Sequence, residues 1–156
     1  MPDALPIVEC LDELTSVLAQ AQPVVLQAPP GAGKTTGIPP ALLNSKAVGD
    51  GKTLLIQPRR IAARAAAHRL ASAMNCRLGD TVGYHVRFDR CHGKDTRLIS
   101  MTTGMLLRRI QADPFLEDVS CVVLDEFHER SLEIDLALGM LQRIRTTLRP
   151  ELRLLV

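Results

Sequence analysis

Val24-Val-Leu-Gln-Ala-Pro-Pro-Gly-Ala-Gly-Lys-Thr-Thr36 begins as a short apolar run and passes straight into a loop of small residues carrying one lysine and two hydroxyls. The run reads as a strand, and a helix is expected to start near Gly33. A triphosphate must be held by many donors at once with no side chain in the way. The backbone N–H groups of a small-residue loop at a helix N-terminus supply those donors, and the helix dipole adds to their pull. Gly31, Ala32 and Gly33 meet that demand. Lys34 would reach the terminal phosphates, Thr35 would offer its hydroxyl to Mg²⁺, and Thr36 adds a further donor. The first position of the pattern is Ala28 in place of the usual glycine, a change that costs little where no positive φ is needed.

Some ninety residues later Val119-Ser-Cys-Val-Val-Leu124 forms a second apolar run, of the kind buried on both faces of a parallel sheet, and Asp125-Glu-Phe-His128 follows it directly. Open α/β sheets place their ligand sites at the carboxyl ends of strands. An acidic pair there has two tasks: Asp125 to hold Mg²⁺ through water, and Glu126 to orient and deprotonate the water that attacks the γ-phosphate. A solvated charge cluster capping the next helix accounts for Glu129 and Arg130, but not for two carboxylates at a strand tip. The two strands are expected to be neighbours, so that Lys34 and Asp125 face one triphosphate and its magnesium.

The rest of the chain alternates in the same manner. Ile7, Val8, Leu11, Leu14, Val17 and Leu18 predict an amphipathic helix near residues 7 to 21. Pro39-Pro40 falls a turn and a half into the helix after the loop, which should therefore be short or restart there. Strands are expected at 53–57, 81–88 and 96–101, the last two joined by a polar loop over 89–95. Helices are expected over 59–74, 103–111 and 132–148, the last with Leu132, Leu136, Met140, Leu141 and Ile144 on one side. A final strand fits 152–156. The pattern predicts an α/β fold with a largely parallel sheet flanked by helices on both faces.

Composition sets bounds on function. The 156 residues, 46% of them hydrophobic, suit one domain with a single core. No apolar run approaches the roughly 20 residues needed to cross a bilayer, and the first residues lack the form of a secretory signal, so a cytoplasmic protein with no membrane partner is expected. Cys10, Cys76, Cys91 and Cys121 show no metal-ligand spacing, and Cys121 in its apolar run reads as a small buried thiol. A net charge of +2 argues against a wholesale polyanion binder. His85 reads as a neutral histidine packed among polar neighbours.

With both phosphate motifs in view, Asp125-Glu-Phe-His128 resembles motif II of DExH helicases, and the chain as a whole resembles the first RecA-like domain of the DEAH/RHA group of RNA helicases. Gln57-Pro-Arg-Arg-Ile-Ala-Ala63 is similar to that group's motif Ia, Thr102-Thr-Gly-Met-Leu106 to its motif Ib, and Gly83-Tyr-His-Val-Arg-Phe88 to its characteristic strand segment. Leu5-Pro-Ile7 resembles the usual entry into the domain. Pro-Pro-Gly-Ala-Gly-Lys together with Asp-Glu-Phe-His-Glu-Arg is similar to the bacterial HrpB branch. Phe127, Gly37 and Pro40 depart from the group's habits and remove no phosphate, metal or water contact.

The resemblance implies a RecA-like P-loop NTPase domain over 1–156, a piece of a longer protein, with ATP and Mg²⁺ as cofactors. Arg59, Arg60, Thr103 and Gly104 would contact an RNA backbone without reading bases. Arg69 matches the position that stacks on the nucleotide base, and His128 the one that couples the γ-phosphate to a partner domain. Glu126, Lys34 and His128 would form the catalytic set. Taken singly, Arg59 and Arg60 equally suit a solvated helix start, Arg69 a surface residue, and Thr102-Thr103 an N-cap. Catalysis would need arginines from a second RecA-like domain, so the piece alone is expected to bind nucleotide weakly and turn it over slowly. The alternatives are a P-loop kinase of a small metabolite, which leaves Glu126 and the arginine pair unexplained, and a non-catalytic nucleotide-binding module. A GTPase would need an Asn-Lys-x-Asp element, which Asn44 and Asn75 do not form.

Overall fold

The computed structural model describes residues 6–156. Leu5, in the stretch that resembles a domain entry, lies outside the described residues. The strands are β1 (Lys52–Gln57), β2 (Val82–Val86), β3 (Asp89–Cys91), β4 (Leu98–Thr102), β5 (Val119–Leu124) and β6 (Arg153–Leu155). They form one sheet in the order β3-β2-β4-β1-β5-β6. Only β3 runs antiparallel to its neighbour. Helices α1 (Leu11–Ala19), α2 (Lys34–Asn44) and α3 (Arg60–Ala73) cover one face, while α4 (Thr103–Ala112) and α5 (Leu132–Thr147) cover the other.

Period-two alternation divides the side chains of the central strands between two apolar layers. Leu55, Cys121 and Val123 pack under α1 to α3, whereas Leu54, Ile56, Val122 and Leu124 pack under α4 and α5. Burial on both faces is why β5 reads as an unbroken apolar run, with all six residues buried. Because β1, β4 and β5 are parallel, their carboxyl ends at Gln57, Thr102 and Leu124 share one edge. The loops bearing the sequence motifs gather there.

Several expectations change. Residues 24–27 are not a regular strand: Val24 makes a single parallel bridge to Leu155. Backbone bonds from the Val24 N–H to Leu154 O (2.9 Å), the Val156 N–H to Val24 O (2.9 Å) and the Leu26 N–H to Val156 O (2.8 Å) hold the segment at the rim. Val25 is 80% exposed, so its apolar character does not reflect two-sided burial. Nor are the two motif-bearing segments neighbours, since β6 lies between the Val24 segment and β5.

The helix over 7–21 is split into a 3-10 turn at Pro6–Cys10 followed by α1. Helix α2 runs through Pro39 and Pro40 to Asn44. Burial of Ile38, Pro39 and Leu42 offsets the backbone bonds those prolines cannot donate. The polar loop over 89–95 contains β3, which forms a hairpin with β2 about Arg87 and Phe88, and Phe88 has a φ of 67°. Helix α5 buries Ile134, Ala137, Leu141 and Ile144, and leaves Leu132 and Leu136 in solvent. Leu141 and Ile144 of the expected apolar side are thus buried, but toward the N-terminus of the helix the buried face is Ile134 and Ala137 in place of Leu132 and Leu136.

Candidate functional site

The loop before α2 turns through Gly31 (φ 80°) and Gly33 (φ 86°), values that L side chains rarely adopt, so glycine is what lets the chain double back into the helix. Gly33 is the N-cap and carries no capping side chain. The N–H groups of Lys34, Thr35 and Thr36 open the helix and have no intrahelical partner, which leaves a ring of donors and the positive end of the dipole pointing out of the fold. Ala32 is buried, and its carbonyl accepts the Ile7 N–H at 3.2 Å, anchoring the loop to the body of the domain. Ala28 has no positive φ, so its substitution for glycine leaves the turn undisturbed.

Lys34 reaches back over the loop, its Nζ donating to Ala28 O at 2.5 Å and Pro29 O at 3.1 Å. Lys34 and Ala28 both line the cleft at this edge of the sheet. Thr35 Oγ1 donates to Asp125 Oδ2 at 2.6 Å, a contact across 90 residues of sequence that joins the loop to the acidic strand tip despite the strand between them. Thr36 Oγ1 lies 3.5 Å from Gly33 O.

Asp125 continues β5, its N–H donating to Ile56 O at 3.0 Å. Its carboxylate accepts three bonds: Oδ2 from Thr35 and from Gln57 Nε2 at 2.7 Å, and Oδ1 from the Glu126 N–H at 2.9 Å. Glu126 then turns through left-handed backbone, φ 55° and ψ 34°, a conformation that costs a non-glycine residue about 1–2 kcal/mol. His128 Nε2 lies 3.2 Å from Glu126 Oε2. A cleft of about 320 Å³ is lined by Gln27, Ala28, Lys34, Thr35, Asp125 and His128, among others. A second, of about 250 Å³, is lined by Arg59, Thr103, Glu129 and Glu133, and shares Asp125 and Glu126 with the first. The acidic pair is therefore the wall between two cavities.

The donor set suits magnesium. Thr35 hydroxyl and Asp125 carboxylate are hard oxygen ligands within hydrogen-bond distance of one another, and Mg²⁺ takes one or two such groups with water and substrate oxygens filling its octahedron. Among the described residues no three His, Cys, Asp or Glu side chains group as a metal cage.

The remaining residues singled out in the sequence fall into two groups. Arg59 and Thr103 reach the second cleft: Arg59 Nη2 pairs with Glu129 Oε2 at 2.9 Å, and Thr103 is buried at the start of α4, with Gly104 beside it. Thr102 holds the N-cap position of α4 without a side-chain capping bond. Arg60, the first residue of α3, is exposed and borders a shallow cavity with Arg64 and Arg87. Arg69 is exposed on α3 and lines neither cleft. Gln57 is the contact the sequence reading missed. Its signal was a polar residue closing an otherwise apolar strand on the edge that carries Asp125.

Residues 10–153 match the family described as DEAD/DEAH box helicase. The chain is 49% identical over 153 residues to the ATP-dependent RNA helicase HrpB of Escherichia coli (strain K12), covering 98% of this chain and 19% of that protein. It is 40% identical to a probable ATP-dependent RNA helicase DHX35 homolog of Caenorhabditis elegans, covering 97% of this chain and 21% of the relative. It superposes on the crystal structure of the Escherichia coli DEAH/RHA helicase HrpB with a TM-score of 0.93, covering 97% of this chain and 19% of that one. The chain thus spans about a fifth of the length of these relatives.

Proposed function

This chain belongs to the DEAD/DEAH box helicase family, and on that footing we propose that residues 1–156 are the N-terminal RecA-like ATP-binding domain of an RNA helicase that couples Mg-ATP hydrolysis to movement on or unwinding of RNA. The observation that carries the reading is the Thr35 Oγ1 to Asp125 Oδ2 contact, which puts the P-loop hydroxyl and the acidic strand tip within reach of one ligand. The family match supports this reading over a small-metabolite kinase and over a non-catalytic module.

In this mechanism the phosphates lie against the N–H groups of residues 31–36, and Lys34 exchanges its two carbonyl partners for γ-phosphate oxygens. Thr35 and Asp125 would hold Mg²⁺. When bound it would neutralise charge on the transferring phosphoryl group. Glu126, which lines both clefts, accepts the proton of the attacking water. His128, paired with Glu126, carries the presence of the γ-phosphate to a second RecA-like domain elsewhere in the full-length protein. Arg69, exposed on α3 outside both clefts, would stack on a base that projects beyond the phosphate loop. Arg59, Arg60, Thr103 and Gly104 grip RNA phosphates without reading sequence; the hollow beside Arg60 holds Arg64 and Arg87, with Arg64 paired to Asp89 at 3.5 Å. No helix among the described residues is long and apolar enough to cross a membrane.

The test is ATP turnover by the full-length protein with and without single-stranded RNA. RNA-stimulated hydrolysis that Lys34→Ala and Glu126→Gln abolish is expected. Undiminished turnover in Glu126→Gln, or no response to RNA, would overturn the assignment.

A further inference from the structure

Gln57 is 3% exposed, and a buried amide must find partners. Its Nε2 donates to Asp125 Oδ2 at 2.7 Å, the same oxygen that accepts the Thr35 hydroxyl. We propose that Gln57 is a positioning residue for ATP hydrolysis: its amide fixes the Asp125 carboxylate for metal binding and ties that carboxylate to the segment that grips RNA. The inference rests on the helicase reading above and extends it to a residue outside the phosphate, metal and RNA contacts already assigned.

Three features carry it. The Thr35 hydroxyl has one proton and two lone pairs, so it can donate to Asp125 and still turn a lone pair to a cation; Gln57 is the second side-chain donor on the same Oδ2, and the two together fix which way that carboxylate faces. An amide is also the right chemistry for that place. It donates without formal charge, whereas Lys or Arg would set a positive charge where a divalent cation must sit, and Glu would add a third carboxylate beside Asp125 and Glu126. Finally, the attachment is two-ended. Ile56 O accepts the Asp125 N–H and Gln57 holds the Asp125 side chain, while two residues on, Arg59 pairs with Glu129 at the far end of the same acidic loop. Pro58 restricts the residue before it to extended backbone, and Arg59 is itself extended at φ −131° and ψ 145°. A phosphate that draws Arg59 away from Glu129 therefore pulls on a stiff three-residue connector whose other end holds the carboxylate.

The experiment uses the full-length protein with Gln57→Met, which keeps the length of the side chain but has no hydrogen-bond donor, and Gln57→Ala. ATP affinity is measured at equilibrium with EDTA and with Mg²⁺, alongside ATP turnover with and without single-stranded RNA. The expected result is metal-free ATP affinity and thermal midpoint close to the parent's, with the Mg²⁺-dependent gain in affinity and the RNA-stimulated kcat each reduced about 10–100-fold. A Gln57→Met protein with the parent's Mg²⁺ response and RNA stimulation overturns the proposal. So does loss of metal-free affinity in step with the metal effect, which marks a merely structural residue; if Gln57→Ala does not fold, Gln57→Met decides. Lys34→Ala is the control. Turnover lost there but intact in Gln57→Met sinks this inference alone, whereas a parent protein without ATPase activity sinks the helicase reading with it.

Discussion

Glu126 holds a backbone conformation that suits glycine better than glutamate, and it holds it at the place where the proposed base must project from the sheet edge. Replacing it by glycine should relieve the strain, raising stability by about 1 kcal/mol in urea unfolding, while removing turnover altogether. A Glu126→Gly protein less stable than its parent would show that the turn is not strained. Cys121 makes a different prediction. Complete burial pushes its thiol from an ordinary value of 9.0 up to about 12. The folded state holds that proton more tightly, so its contribution is fully present below pH 9 and falls as pH rises toward 12. Cys121 should resist thiol reagents in the native protein at pH 8 and react only on unfolding, unlike the partly exposed Cys10, Cys76 and Cys91. At this scale the sequence revealed the residues whose chemistry is distinctive, namely Lys34, Thr35, Asp125 and Glu126. It hid Gln57, because an amide at a strand end is ordinary until the fold shows which carboxylate it meets.

Among elements, the β2–β3 hairpin is where periodicity misled. Asp89, Arg90 and Cys91 are not an apolar run, so nothing in their pattern distinguishes a short edge strand from a loop. The hairpin depends on Gly83: a Cβ there would lie 2.3 Å from Cys91 O and 2.7 Å from His92 Cβ. Gly83→Ala should therefore destabilise the domain by about 1–3 kcal/mol in denaturant titration. Gly139 in α5 gives the opposite sign, since a Cβ meets nothing within 4 Å, and Gly139→Ala should stabilise by about 0.5–1 kcal/mol. His85 and His92 face each other across the hairpin at 5.2 Å between ring centres. Burial lowers both pKa values, aided by Arg90 and Arg109 for His85, and by His85, Arg90 and Lys52 for His92. Their neutral forms fit the fold, so stability is fully present above the ordinary value of 6.5 and is lost as pH falls below it. The melting temperature should drop between pH 7 and 5, and His92→Asn should flatten that slope. The α2 prolines and the face of α5 were misread for one reason: local propensity and spacing do not say which side of an element the sheet will occupy.

Over the whole molecule, the alternation of strands and helices was enough to give the layered architecture, because burial on both faces leaves its mark directly in sequence. The order of strands was not, since β6 slips between the Val24 segment and β5 without any local signal. The catalytic arrangement proposed here is also incomplete within residues 1–156, because it calls on arginines from a second RecA-like domain. Supplied in this way, such an arginine is worth about 10³–10⁵ in rate, so the isolated chain should hydrolyse Mg-ATP at least about a thousandfold more slowly than the RNA-stimulated full-length protein. Comparable rates from the two would refute the division of labour.

The rim position of the Val24 segment has one further outcome. The strip leading into the phosphate loop hangs on three backbone bonds to residues 154–156, outboard of a sheet whose inner strands are paired on both sides. Its amides should be among the first to trade protons for deuterons in heavy water. A nucleotide spanning Lys34 and Asp125 would clasp that loose border to the interior strand, slowing exchange from residue 24 through residue 36, so the fuel of the motor would double as the fastener of its edge.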